Sequence, residues 1–295
     1  MKKAMLVLVS AISYLSAVTI VPYYVNVNYS KDTNKKNADI FGVYLSKYKN
    51  SYKFELDYEY LQLNYKDSPE YIQNDLTFLL NYFFKQHYKI SLGIHNIFSS
   101  NPETITKYKP STNPMLPSTT ITETVYKNSY DYVFAASFNY YEYLKYDYGS
   151  DFFYSVYDNT DVYQITPFYG ISFGNYYSKI GSFYAKAKVN LIKITKNVTP
   201  KSFYVNYDFQ LKNYNKSWTT SLDVSFGKSA YKVSKSGFVV YNLGEEYKNS
   251  YSLSVSKAIT PKDSISGSIS CTQFEETKGY EASSTAVLFT YTRMF

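Results

Sequence analysis

Cysteine is almost missing from this chain of 295 residues: Cys271 stands alone. No internal disulfide and no cysteine-based metal cluster can form. Histidine is equally scarce, with only His87 and His95. Eleven glycines and nine prolines punctuate the chain and sit mostly between patterned runs. Strong charge of one sign is also lacking. The formal net charge is +7, two of which (Lys2 and Lys3) lie in the first few residues, and the remaining lysines are interleaved with acids. That arrangement excludes a nucleic-acid-binding surface. Beyond the first 17 residues no apolar run approaches the ~20 residues of a spanning helix. The longest, LTFLLNYFF at 76–84, is broken by polar residues. There is no glycine-rich phosphate loop and no metal-ligand spacing, so no cofactor is expected.

What is abundant is tyrosine: 38 Tyr and 20 Phe in a chain whose mean hydropathy is only −0.35. These rings suit a pleated surface better than a helix. They occur in strict alternation with polar residues. In KSFYVNYDFQLKN (201–213), Phe203, Val205, Tyr207, Phe209 and Leu211 fall on one face, and Tyr204, Asn206, Asp208, Gln210 and Lys212 on the other. WTTSLDVSF (218–226), YQITPFYGISF (163–173), DSISGSISCT (263–272) and YDYVFAASFNY (130–140) repeat the device. Period-two alternation is the signature of a strand with one face in each of two environments. Short turn-like pieces (KNS, DSPE, DNTD, NYNK, TPKD) separate the runs.

The pattern predicts fourteen strands, at 19–31, 37–49, 51–66, 70–85, 87–99, 127–141, 144–157, 161–174, 179–194, 201–212, 216–227, 238–257, 263–274 and 283–295. Dropping the first and merging the pair that meets near Tyr141 gives twelve. A soluble β-sandwich would also alternate. However, these runs reach 11–16 residues, where soluble strands average about 5–6, and the polar faces carry Ser, Thr, Asn and Tyr in place of Lys/Glu mixtures. A bilayer solvates one face and a wet lumen the other. Closure then follows, because an open edge in hydrocarbon leaves backbone groups unpaired at several kcal/mol each. The expected fold is an all-β transmembrane antiparallel up-and-down barrel over 18–295. If the last strand runs toward the periplasm, short turns fall on the periplasmic side, while the Pro-rich 99–127 segment and 228–237 fall outside the cell.

Residues 1–17, MKKAMLVLVSAISYLSA, have the basic start, apolar run and terminal small residue of a secretory signal peptide. The chain ends AVLFTYTRMF, with Phe295 terminal and Tyr291, Phe289 and Val287 on its face. This ending resembles the terminal strand of Gram-negative outer-membrane β-barrel proteins. Arg293 stands where that pattern usually has an aliphatic or aromatic residue; a long side chain can snorkel to water. The resemblance implies location in the outer membrane, contact with lipid and lipopolysaccharide, and an assembly signal in Phe295, Tyr291 and Phe289 read by the barrel-assembly machinery. The family includes lipid-acting enzymes. The His-x-Ser spacing of its phospholipases and deacylases is absent here, and His95 and Ser91 lie ~13 Å apart along a strand, so no enzyme is expected.

The polar faces then become the candidate wall of a channel. They project Lys53, Glu55, Asp57 and Glu59 from the third strand, Asp75 and Lys89 and His95 from the next two, and Asp131 from the sixth. Lys186 and Lys188 follow on the ninth strand, Asp208 and Lys212 on the tenth and Asp223 on the eleventh. An acidic ladder on the third strand would roughly oppose a basic pair on the ninth, creating a transverse field for small hydrophilic solutes. The functional expectation is a narrow porin-like or solute-specific channel. The alternative is a closed structural or adhesive barrel acting through its outer loops, with 99–127 as the binding surface.

Overall fold

A computed structural model describes residues 18–109, 119–276 and 279–295, with the side chains of 103–124 left aside. The expected leader, 1–17, and the tip of the Pro-rich segment, 110–118, lie outside the described residues. The strands are β1 (Val18–Tyr29), β2 (Lys35–Lys49), β3 (Tyr52–Tyr65), β4 (Tyr71–Phe84), β5 (Tyr88–Lys109), β6 (Thr119–Glu142), β7 (Tyr146–Tyr157) and β8 (Thr160–Gly174). They continue with β9 (Ser182–Ile194), β10 (Phe203–Asn215), β11 (Trp218–Phe226), the two-residue β12 (Val233–Ser234) and β13 (Val239–Val240), β14 (Glu246–Ala258), β15 (Asp263–Glu275) and β16 (Glu281–Met294).

All but β12 and β13 form one closed antiparallel barrel of fourteen strands, in which each pairs with its neighbours in sequence. β16 closes it against β1, and the amide of Phe295 donates to the carbonyl of Val18 at 3.0 Å. No strand edge is left open, which is the condition for placing a sheet in hydrocarbon. Most turns at the end where the chain starts and stops are tight, the exception being 175–181 between β8 and β9. The Asn50–Ser51 and Lys216–Ser217 hairpins have two-residue loops, with Asn50 and Lys216 at φ 55° and 50°, the left-handed backbone such loops demand.

Two boundaries differ from the alternation reading. The described residues of the 99–127 segment form no polar loop: β5 and β6 stay paired from Tyr88↔Tyr140 out to Lys109↔Thr119. β4 leaves β5 at Ser100, and β7 leaves β6 at Tyr132. The hairpin therefore continues alone for nine residue pairs past Ser100, about 30 Å at the usual strand rise. Thr and Val there extend readily, and Pro102 does not interrupt the ladder because it lies on an outlying strand. β14 begins at Glu246 rather than near 238, because 238–245 belong to a loop that leaves the wall.

The outward face carries the oily residues. Phe203, Phe209 and Leu222 are all exposed on the outside, as are Ile165, Ile171, Leu253 and Ile269. On β8 the outward apolar run spans Tyr163 to Phe173, about 25 Å tall once strand tilt is allowed for. Near the turn end, rings meet in a belt across five strands: Tyr52–Tyr82 (4.9 Å), Tyr82–Phe84 (5.7 Å), Phe84–Tyr88 (5.1 Å) and Tyr140–Tyr148 (5.1 Å) stack, and Tyr88–Tyr140 (5.2 Å) meet edge to face. Tyrosine suits this boundary because its ring lies in hydrocarbon and its hydroxyl in water.

Toward the loop end the polarity inverts. On β3, Lys53, Glu55, Asp57 and Glu59 point in, but so do Leu61 and Leu63, while Gln62 points out to bond Glu70. On β9 the inward row Lys186, Lys188, Asn190 ends in fully buried Ile192 and Ile194. This upper rim follows the soluble rule, with apolar residues inside and polar residues outside. Cys271 faces outward on β15, as its alternation requires. Phe289, Tyr291 and Phe295 lie exposed on the outer face of β16. Arg293 lies 3.7 Å from Asp263 and over the Phe295 ring.

The lipid-facing band predicts an asymmetric response to charge. Leu222→Arg should destabilise the barrel by about 2–4 kcal/mol, whereas Ser268→Arg, on the inner face, should cost much less. Guanidinium unfolding in lipid vesicles measures both.

Candidate functional site

The segment between β11 and β14 does not extend outward as an external loop. It turns into the barrel and crosses it. The reason is in its side chains: Ala230, Tyr231 and Val233 are apolar and buried, and the inverted upper wall offers them a core. Tyr231 packs with Tyr157, Val162, Ile192, Ile194 and Ile97. Val233 packs with Val133 and Phe153, and Leu243 with Ala38, Leu63 and Tyr71. The reversal is made by Lys235, Ser236 and Gly237, all at positive φ (49°, 60° and 101°).

Polar contacts fix the loop to the wall at five points around the circumference. Gln164 of β8 reads the backbone of Val233 as a strand partner would: its Nε2 donates to the carbonyl at 2.8 Å and its Oε1 accepts from the amide at 2.8 Å. Lys232 Nζ donates to Asp208 Oδ1 (2.6 Å) and Asn206 Oδ1 (2.7 Å) on β10. His95 Nδ1 donates to the Gly237 carbonyl at 2.9 Å, which fixes the proton on that nitrogen. Asn242 donates to Gln73 at 3.0 Å, and Lys35 pairs with Glu245. At the root of the loop, hydrogen bonds to Glu246 and Glu275 hold the Lys228 ammonium above the usual lysine range.

Beneath the tip lies a buried acidic cluster. Tyr23 Oη donates to Asp57 (3.0 Å) and Glu59 (2.8 Å). His95 Nε2 lies 3.6 Å from Asp75. Asp57, Asp75, His95 and Asp131 are 8%, 7%, 3% and 7% exposed. They project inward as their alternation requires, but they are covered, where the sequence reading placed them on an open wet wall. The loop's descent is the cause. Asp131 accepts from the Asp158 amide at 3.2 Å. His95 is engaged by Thr77 and Gly237, while Ser91 donates to Asn81, so the two do not form a catalytic pair. His87 stays on the turn, stacked on Tyr140.

The other inward charges keep more space. Lys53 pairs with Glu55 at 2.9 Å, and Lys89 lies in the field of Asp151 and Glu55. Lys186, Lys188, Asp208, Lys212 and Asp223 line one cavity of about 770 Å³ against β9–β11 and β14–β16. It extends past the loop, from Thr219 and Ser256 near the turn end to Lys248 and Asn249 near the outer rim. This cavity lies on one side of the barrel interior. Lys186 does not face the third-strand acids freely: it donates to Asp147 at 2.7 Å and sits over the Phe168 ring.

Sequence reasoning missed Gln164, Lys232, Asn206 and Tyr23 as organising residues. Their signal was faint. Gln164 is one polar residue in an alternating strand, and Lys232 lies in a stretch read as external. The buried apolar trio at 230, 231 and 233 was the available clue.

No family model matches the chain, and no curated protein does. Solved structures do. The CymD monoaromatic hydrocarbon channel superimposes with a TM-score of 0.53 at 10% identity, over 95% of this chain and 89% of that one. A Pseudomonas aeruginosa FadL homologue gives 0.51 at 9%, over 95% and 90%. The P. putida toluene transporter TodX gives 0.52 at 7%, over 97% and 92%. The fold is that of Gram-negative outer-membrane β-barrels.

The loop's seating predicts the effect of Gln164→Ala. Losing both bonds to Val233 should release about 1–3 kcal/mol of anchoring. Deuterium uptake across 229–245 should rise by about tenfold or more, while uptake in β14 and β15 stays unchanged.

Proposed function

We propose that the chain is an outer-membrane transport channel of a Gram-negative bacterium, with a narrow, polar lumen set by the inward loop. The observation that carries this reading is the cavity that runs past the loop from rim to turn end, walled by lysines, aspartates and serines. Small hydrophilic solutes are the matching cargo. The solved neighbours named for hydrocarbons share the fold; here the lining mixes Phe153, Val233 and Leu288 with lysines, aspartates and serines, and its charged groups favour a hydrated solute. The remaining partners follow from the wall: lipid and lipopolysaccharide on the outer band, and the barrel-assembly machinery at Phe295, Tyr291 and Phe289. The chain acts as a conduit and carries no catalytic role.

A second reading rests on a separate feature. The β5–β6 hairpin stands clear of the rim, and such an arm suits adhesion to a surface or a partner.

Two measurements separate these. In planar bilayers the protein should give small discrete conductance steps, and deletion of 230–243 should enlarge them severalfold; a barrel silent in both forms overturns the channel reading. Deletion of 103–124 should leave conductance unaltered and, if the arm is adhesive, abolish binding of intact cells to host or abiotic surfaces.

A further inference from the structure

Resting on the channel reading, we propose that this cavity is a binding site for small hydroxyl-bearing anions, with Lys188, Lys212 and Lys235 as its cationic pole and the serine rows of β14 and β15 as its neutral pole. Carboxylates and phosphates carried on a polyhydroxylated body have the matching chemistry.

The argument starts from the carboxylates. Six lysines and three aspartates line the cavity, so positive charge is in excess. The acids on the β7–β11 wall are largely committed elsewhere. Asp208 accepts Lys232 at Oδ1 (2.6 Å) and Asn190 at Oδ2 (2.8 Å). Asp223 accepts Gln210 at Oδ1 (2.5 Å) and Ser221 at Oδ2 (2.8 Å). Asp147 accepts Tyr184 (2.6 Å) and Lys186 (2.7 Å). Asp151, the remaining acid of the lining, lies in the field of Lys89 and Lys186. Lys248 is taken by Glu275 and Glu281.

Three ammonium groups are left over. Lys188 is directly across the ladder from Asp208, yet Asp208 is engaged by Lys232 and Asn190, and Lys188 makes no ion pair among the described residues. Lys212 lies in the field of Asp223, with which it makes no ion pair among the described residues, and then of Lys188 and Lys235. Lys235 sits at the loop tip, acts on Asp57 through its field, and makes no ion pair among the described residues. Each of these three lines the same cavity. Like charges held together around a partly enclosed space repel one another unless an anion sits between them. The backbone supports the arrangement: Lys235 and Ser236 occupy successive left-handed conformations, which non-glycine residues adopt at a cost and which cluster at binding sites.

The adjoining wall supplies the other half of the recognition. Ser252↔Ser270, Ser254↔Ser268 and Ser256↔Ser266 are cross-strand pairs facing the cavity. Ser250 and Ser266 are bonded to threonines, but Ser252, Ser254, Ser256, Ser268 and Ser270 have no hydrogen-bond partner among the described residues. Each hydroxyl can donate and accept. A row of small free hydroxyls beside free ammonium groups matches a solute with one anionic group and several hydroxyls.

The test uses the full chain purified in detergent and the same protein in bilayers, with a Lys188→Gln/Lys212→Gln/Lys235→Gln variant. The heat-dependent gel shift of the closed barrel confirms folding of both. Titration calorimetry with sodium gluconate and with glucose 6-phosphate should show saturable binding to the parent, weakened about tenfold or more in the variant, given the strength of charge-assisted contacts. Neutral glucose should bind far less. In a potassium chloride gradient the parent should be anion-selective and the variant should lose that preference. Equal binding of glucose and gluconate, or cation selectivity unchanged by the variant, overturns the anion site while leaving a channel. Saturable gluconate binding by a barrel with no conductance supports the anion site and overturns transport instead. If the triple variant does not fold, Lys212→Gln alone decides by the same binding measurement.

Discussion

The backbone's need for hydrogen-bond partners in hydrocarbon governs everything else in this molecule. An unpaired amide or carbonyl there costs several kcal/mol, so the sheet must close, and the Phe295–Val18 contact beside the β1–β16 ladder completes the ring. Closure fixes which residues share an interior. Without it, Tyr29 of β1 would not meet the Phe274 ring of β15 across β16, nor would the Lys35 ammonium of β2 lie over that ring. Gly42 lies on β2 beneath the Tyr23 ring, where any side chain would collide with it. The charged interior is a product of ring closure as much as of strand pattern.

Once closed, the barrel must deal with its own volume. A fourteen-strand ring is wider than its side chains can fill, and the inward loop takes up part of that space. It succeeds because it meets two different walls. Apolar residues of the upper rim give Tyr231, Val233 and Leu243 a small core. Polar residues lower down give the loop backbone and Lys232 their hydrogen bonds. What is left open lies along β9–β11 and β14–β16, where the inward residues are short serines or lysines.

The strand count, the outward band and the inward row of charges were legible because period-two alternation is a local property. Ile165, Phe209 and Leu222 report their own environment without reference to distant residues. Local pattern could not show that alternation changes its meaning partway along a strand. In β3, Glu59 and Leu61 point the same way into different surroundings, and only the loop arriving from 170 residues downstream explains it. The same is true of Asp57, Asp75 and Asp131, which read as wall residues and are covered by that loop. The extended hairpin was missed for the opposite reason: prolines and threonines in 99–127 argued for coil, yet the described ribbon accommodates Pro102 and its threonines.

The inverted rim means that this chain folds against two solvents. Its lower part is ordered by lipid outside and water inside, and its upper part by water outside and a dry interior. The first cannot form before insertion, and the second gains nothing from it. Each zone therefore answers to different conditions: bilayer thickness and lipid composition act on the band from Tyr163 to Phe173, whereas chaotropes in the external medium act on the core around Tyr231. Loosening of the cap while the ring remains intact is a state that this construction makes accessible, with the widened interior as its direct result.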